Sequence, residues 1–465
     1  MYNLYLMSEV QTNTIGRDFT LPELIKFVAP PVLTRLLVSF LSTLDDSLFV
    51  SRFCGPNALA AFSVAMPWFM FVDAIGMLVG ATTTVCSIKM GEKKPEEAKS
   101  DFTTMAIVAF CTGSIFTLIL TFFLDQILLL LGETKLLLPY ARSYMTVSKF
   151  YAPMIMSSYI FNSFYVIAGK PKWSMYSSAL NTFCQFFFDW LFIVKLKTGI
   201  VGAAYANLIG SSLTTLLALF FYSNSSREIH LVRPHSRLGD LLRKVVRYGR
   251  VQFITSVAVA FSSYISNNVH LAIGGEKIVA AYTIVSNVTF MFMMSEFGLI
   301  GSLSPLAAYA YGEKNAKKFA RICKQSVLLV ESLSIIIILL ITMGRNVVLF
   351  LYLNEYSEPM IRQLAARGLM IYPFSLLFFG FNVLVQDFSN VVGRHKVSTF
   401  LSVMENIVIQ ISLCLLLPRI FGIDGIWFVF LSSEILTFFL SAYFVYVNRD
   451  VYGYGREGIA TFANS

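Results

Sequence analysis

Asn181, Gln185 and Asp189 follow one another at four-residue spacing, which stacks the three side chains on one face of a helix. A carboxylate flanked by two amides can bind a proton, a sodium ion or an organic ammonium group. Asn382, Gln386 and Asn390 repeat the spacing later in the chain, with Asp387 beside them. Asp45, Asp46, Asp73, Glu296, Glu331, Glu405 and Glu434 also fall in or near stretches that are otherwise apolar, whereas Arg35 and Lys149 are the main basic residues comparably placed. An acid excess in an apolar interior is the chemistry of a cavity for cations. Asp45 and Asp46 are neighbours and so point about 100° apart around a helix; Asp46 is the expected working acid. Glu405 stands 224 residues after Asn181, and Glu296 follows the methionine-rich FMFMM at 290–294. Glu331 and Glu434 rank behind these. The competing use of such amides is to join helices by hydrogen bonds with no role in transport.

The elements that must carry these groups are dictated by composition. Of 465 residues, 56% are hydrophobic and 14% charged, and the mean hydropathy is +0.68, outside the range of soluble globular enzymes. Solid apolar blocks at 104–124, 325–344 and 427–447 exclude the alternating pattern of a membrane β-barrel. A helix needs about 20 apolar residues to cross a bilayer. Spans are expected near 24–50, 57–87, 103–124, 142–168, 173–195, 200–222, 251–273, 278–309, 325–344, 366–391, 397–417 and 424–446. The expectation is therefore an all-α polytopic membrane protein with twelve transmembrane helices. An ionisable group at mid-membrane is costly unless it meets water or a partner, so each acid above is a functional candidate. His270, near the outer end of the seventh span, reads as an interface residue. Pro30, Pro31, Pro67, Pro153, Pro305 and Pro373 can kink their spans, and Gly76 with Gly80 form a GxxxG packing pair. The six cysteines and four histidines are scattered without a CxxC pair, so neither disulfide nor metal site is expected, and no catalytic group or cofactor beyond a coupling ion. The first twenty residues lack the pattern of a cleaved signal, and no segment is expected to be removed.

With both termini in the cytoplasm, the inward loops and tails hold 24 lysines and arginines and the outward ones 11, which matches the positive-inside rule for a plasma-membrane protein. The net charge of +9 then reports topology and anionic lipid headgroups; nucleic acid has no continuous basic patch to bind. The second half repeats the first. Gly91-Glu92-Lys93 recurs 221 residues later as Gly312-Glu313-Lys314, Gly169 and Lys172 recur 224 later as Gly393 and Lys396, and Gly199-Ile200 recurs 223 later as Gly422-Ile423. Each copy has six spans, an even number, so both enter the membrane in the same sense. Two pseudo-symmetric six-helix lobes follow, 1–222 and 251–465, with the basic segment 223–250 as a cytoplasmic linker. Such a duplication suits alternating access.

These residues resemble the multidrug and toxic compound extrusion (MATE) family. The stretch DDSLFVSRFCGPNALAAFSVAMP at 45–67, the turns MGEKK at 90–94 and YAYGEKN at 309–315, GLIGSLSPLAAYAYG at 298–312, GKPKWSM at 169–175 and GIVGAAYA at 199–206 are similar to its signatures, in order and in both halves. The resemblance implies an antiporter that exports organic cations or amphipathic compounds in exchange for H+ or Na+, acting as a monomer. By position it places the family's first-span acid on Asp46, its fourth-span asparagine on Asn162, and its fifth-span amide and acid on Gln185 and Asp189. Glu296, Asp387, Glu405, Asn382 and Gln386 are the second-lobe candidates. The alternative reading is a flippase for lipid-linked oligosaccharide on a related fold, whose cavity would need basic residues to accept pyrophosphate.

Overall fold

The computed structural model describes residues 17–42, 49–54, 56–131, 137–352, 359–450 and 452. Among them all regular structure is helical, as it must be where no water is present to satisfy backbone groups. In chain order the helices are α1 (Leu21–Ser42), α2 (Pro56–Gly80), α3 (Thr82–Gly91), α4 (Pro95–Leu130), α5 (Leu138–Ser148), α6 (Tyr151–Ile167), α7 (Pro171–Asp189), α8 (Ile200–Tyr222), α9 (Leu238–Gly312), α10 (Ala316–Met343), α11 (Arg345–Tyr352), α12 (Pro359–Ile371), α13 (Leu376–Val391), α14 (His395–Val403), α15 (Gln410–Phe421) and α16 (Ile423–Val447). Eight segments among the described residues are long and apolar enough to cross a membrane by themselves. The other expected spans are helical but shorter, more polar or interrupted. Around Pro373 the tenth span tightens into a 3-10 turn, Tyr372–Ser375, between α12 and α13. The fourth breaks between α5 and α6, just before Pro153. Large apolar side chains such as Phe122, Leu130, Phe220, Met343 and Phe350 are more than two-thirds exposed, which suits a lipid solvent.

The chain divides into two compact units: Met1–Gly249 with Ala308–Lys314, and Arg250–Ala307 with Asn315–Ser465. The basic segment 223–250 is not one loop, because helix α9 begins at Leu238. Its earlier part is fastened within the first unit: Ser236 Oγ donates to Asp101 at 2.6 Å, His235 N to Ser100 Oγ at 3.0 Å and Val232 N to Thr103 Oγ1 at 3.0 Å. Lys89 meets the same buried Asp101 at 2.6 Å. Helix α9 runs for 75 residues and covers two expected spans. The rings of His270 and Tyr282 are 4.2 Å apart, whereas twelve residues of straight helix would part them by about 18 Å; the chain doubles back between them. His270 is 2% exposed and packs inside that reversal, so the interface role expected of it is corrected.

The duplication is visible in the backbone. Left-handed φ values fall on Gly169 (67°) and Gly393 (77°), on Gly199 (68°) and Gly422 (59°), and on Lys93 (62°) and Lys314 (55°), three pairs at the offsets read from the sequence. Gly199 and Gly422 precede α8 and α16 with ψ of −151° and −141°, a region that only glycine occupies without strain. No atom lies within 4 Å of a Cβ built at either position, so alanine there meets a backbone penalty alone. Gly199→Ala and Gly422→Ala are each expected to destabilise the detergent-solubilised protein by about 1–3 kcal/mol. Gly239→Ala, equally open in space but helical, should match or exceed the wild-type unfolding midpoint.

Candidate functional site: buried carboxylates and their amide partners

In the second unit, α13 presents its polar stripe to acids from two other elements. Asn382 Nδ2 donates to the backbone carbonyl of Glu434 at 3.0 Å and to Glu434 Oε2 at 2.8 Å. One turn on, Gln386 Nε2 donates to Glu405 Oε2. Glu405 lies on a π-helical turn, Met404–Ile409, that interrupts the eleventh span, and Ser433 Oγ reaches its backbone carbonyl at 3.4 Å. Glu296 on α9 accepts from Ser334 Oγ of α10 at 2.8 Å, and its carboxylate lies beside Gly380, where a Cβ would come to 3.1 Å from Oε2. Glu405 and Glu296 both act electrostatically on Glu434, and Glu331 acts on Glu296. Glu296, Glu405 and Glu434 are 0%, 5% and 1% exposed. Three carboxyl groups withdrawn from water and close to other acids cannot all be ionised unless a cation offsets their charge. Asp387 is turned to the Ser304 hydroxyl, and Asn390 Oδ1 pairs with His395 Nδ1 at 2.6 Å, so the stripe's third amide is engaged by the turn that follows.

In the first unit, Asp189 ends α7 and is 0% exposed. A second π-helical turn, Trp190–Lys195, follows it directly; such turns are enriched at functional sites because they break the regular backbone ladder. Gln185 donates to Asn207 of α8, and Asn181 Nδ2 donates to Gln185 Oε1 at 3.4 Å. Gly210 leaves room for Asn181, whose Oδ1 would lie 3.1 Å from a Cβ there. Asn162 Oδ1 is buried with no hydrogen-bond partner among the described residues. Asp45 and Asp46 lie outside the described residues.

Sequence reasoning misses one partner and underweights another. Asn207 is a lone amide in the apolar run YANLIG, and its role is set by the neighbouring helix. Glu434 ranks behind the other acids by sequence, yet it is the acid on which Glu405 and Glu296 both act.

A family model described as MatE matches residues 30–191 and again residues 252–416, once in each half of the chain. Multidrug export protein MepA of Staphylococcus aureus is 25% identical over 442 residues, which covers 93% of this chain and 93% of that protein. Its namesake in Staphylococcus haemolyticus is 23% identical over 436 residues, again 93% of both. Among solved structures, an outward-facing multidrug resistance MATE family transporter of the MOP superfamily superposes with a TM-score of 0.89 at 19% identity, covering 98% of this chain and 99% of that one. A MOP superfamily transporter from Pyrococcus furiosus, described as having a binding pocket of reversed polarity, superposes with a TM-score of 0.85 at 20% identity over 95% and 98% of the two chains. These likenesses carry the fold.

Proposed function

We propose a proton-driven multidrug antiporter, from the premise that this chain belongs to the MatE family of transporters. The chain is a multi-pass membrane protein of that family, and transport of small molecules is its business. The finer reading is export of organic cations or amphipathic compounds by alternating access, from the plasma membrane of a cell whose cytoplasm holds both termini. The acting species is a monomer, with the coupling ion and surrounding lipid as its other partners and no further cofactor.

The observation that carries the reading is the set of buried carboxylates on spans, each approached by neutral donors. Asn382 supplies Glu434, Gln386 supplies Glu405 and Ser334 supplies Glu296. One donor leaves most of a carboxylate's lone pairs free, and a proton needs only one of them, such as that on Glu296 Oε2, whereas a metal cation needs several oxygens gathered round it. This supports H+ over Na+ as the coupling ion. Asp46, Asp189, Gln185, Asn162 and Asn181 form the proposed cation-coupling set of the first unit. Glu296, Asp387, Glu405, Asn382 and Gln386, with Glu434 added, form that of the second. Protonation removes the charge that attracts a cationic guest, so ion and guest exclude each other.

The test is uptake of a fluorescent organic cation into everted vesicles with imposed proton or sodium gradients. Accumulation that follows the proton gradient is expected; dye flux that needs no gradient and stops at equilibrium would point to a channel. Asp189→Asn is expected to lower the coupled initial rate at least tenfold, and wild-type coupling in that variant would remove Asp189 from the site.

A further inference from the structure

Arg35 is a cation in the wrong place for a site built only for cations. It lies on α1 and is exposed, and among the described residues no carboxylate stands within ion-pair distance of it. Its charge acts on Tyr159, which sits midway along α6. Tyr159 in turn is hydrogen-bonded to Asp73 of α2, an acid that the proposed coupling set does not use. Three helices of the first unit therefore bring a guanidinium, a phenol and a carboxylate to one neighbourhood.

The depth of this neighbourhood matters. Asp73 lies near the middle of the stretch formed by α2 and α3, which runs from Pro56 to Gly91, and Tyr159 near the middle of its own helix. A guanidinium near that depth is expensive where it faces hydrocarbon. Its exposed surface must look onto water or a polar guest. The position of Tyr159 is also fixed. Its ring occupies the space beside Gly76, where a Cβ would come to 2.5 Å from Tyr159 Cδ2, and its backbone passes Gly80. The GxxxG pair seats the tyrosine that carries the Asp73 contact.

We infer that Arg35, Tyr159 and Asp73 form a charge-paired recognition site for guests that carry a carboxylate beside their cationic centre, that is, zwitterionic amphiphiles. Arg35 takes the carboxylate, for which its planar fork of donors is suited. Asp73, steadied by the Tyr159 hydroxyl, takes the positive centre. A guest with only a positive charge gains nothing from Arg35 and is repelled by it. This inference rests on the multidrug reading above for the class of guest, and it adds the charge pattern.

The test compares two dyes that differ by one ester: rhodamine B, with a free carboxylate, and rhodamine B ethyl ester, its esterified cationic counterpart. Binding to purified full-length protein in detergent is followed by fluorescence polarisation, with no gradient present. Wild type is expected to bind both. Arg35→Gln should weaken rhodamine B about tenfold and leave the ethyl ester unchanged or bound more tightly. Arg35→Lys, which keeps the charge and loses the fork, should lose severalfold for rhodamine B alone, and it supplies the comparison if the glutamine variant does not purify. Equal changes for the two dyes, no change for either, or no binding of rhodamine B by wild type overturns the inference. Because no gradient enters, a failure of proton-driven transport in vesicles would strike the antiporter reading and leave this result standing.

Discussion

Glu434→Gln stops proton-driven export while the dye still binds. The substitution preserves the shape of the side chain, and its amide oxygen can still accept from Asn382, which also keeps the Glu434 backbone carbonyl as a partner at 3.0 Å. What it removes is the titratable group on which the fields of Glu405 and Glu296 converge. Export against a tenfold gradient needs about 1.4 kcal/mol, and one charge moved through 100 mV supplies about 2.3 kcal/mol. Loss of a single coupled proton is therefore enough to remove net accumulation. The initial rate of gradient-driven uptake into everted vesicles is expected to fall at least tenfold, with equilibrium dye binding within about twofold of wild type. Glu405→Gln should behave alike, since its amide oxygen can still accept from the Gln386 amide that donates to Glu405 now. Undiminished proton-driven accumulation in both variants would falsify the second-unit assignment.

Why the sequence ranks Glu434 behind Gln386 is a matter of which information lies along the chain. Asn382 and Gln386 announce themselves by spacing, because two amides four residues apart in an apolar helix must share a face. Glu434 follows two serines on α16 with no amide at helical spacing to mark it, and its importance arises from the element that packs against it. The same holds for Asn207, which completes the Gln185 pair from α8. Asn390 shows the converse: it obeys the spacing, yet the turn that begins α14 claims it through His395. His270 was misread for a related reason, since a sequence shows that two spans adjoin but not that their chain reverses tightly enough to bury the residue between them. The duplication was the most legible feature. Gly199 and Gly422 recur because each must start a helix from a backbone conformation closed to other residues, and such a requirement leaves its mark at a fixed residue type.

The glycine of the repeated Gly-Glu-Lys turn has a different reason, and it yields the largest expected effect on stability. A Cβ at Gly91 would collide with the backbone carbonyl of Tyr309 and press on the amide of Glu313; a Cβ at Gly312 would collide with the carbonyl of Ile88. Each repeat's glycine therefore receives the other repeat's helix end, within the unit to which Ala308–Lys314 belongs. Flexible side chains can yield to a methyl group, but two crossing backbones can only move apart, and separating them also strains the turns that follow, where Lys93 and Lys314 are already left-handed. Gly91→Ala and Gly312→Ala are each expected to cost about 3 kcal/mol, the upper end for overpacking, and to lower the unfolding midpoint and the monodisperse yield in detergent. Because both methyl groups wedge the same crossing, opening it for one accommodates part of the other. The double variant should therefore cost less than the sum of the two single changes. Strict additivity would mean that the two glycines answer to separate contacts and that the reciprocal crossing is not what retains them.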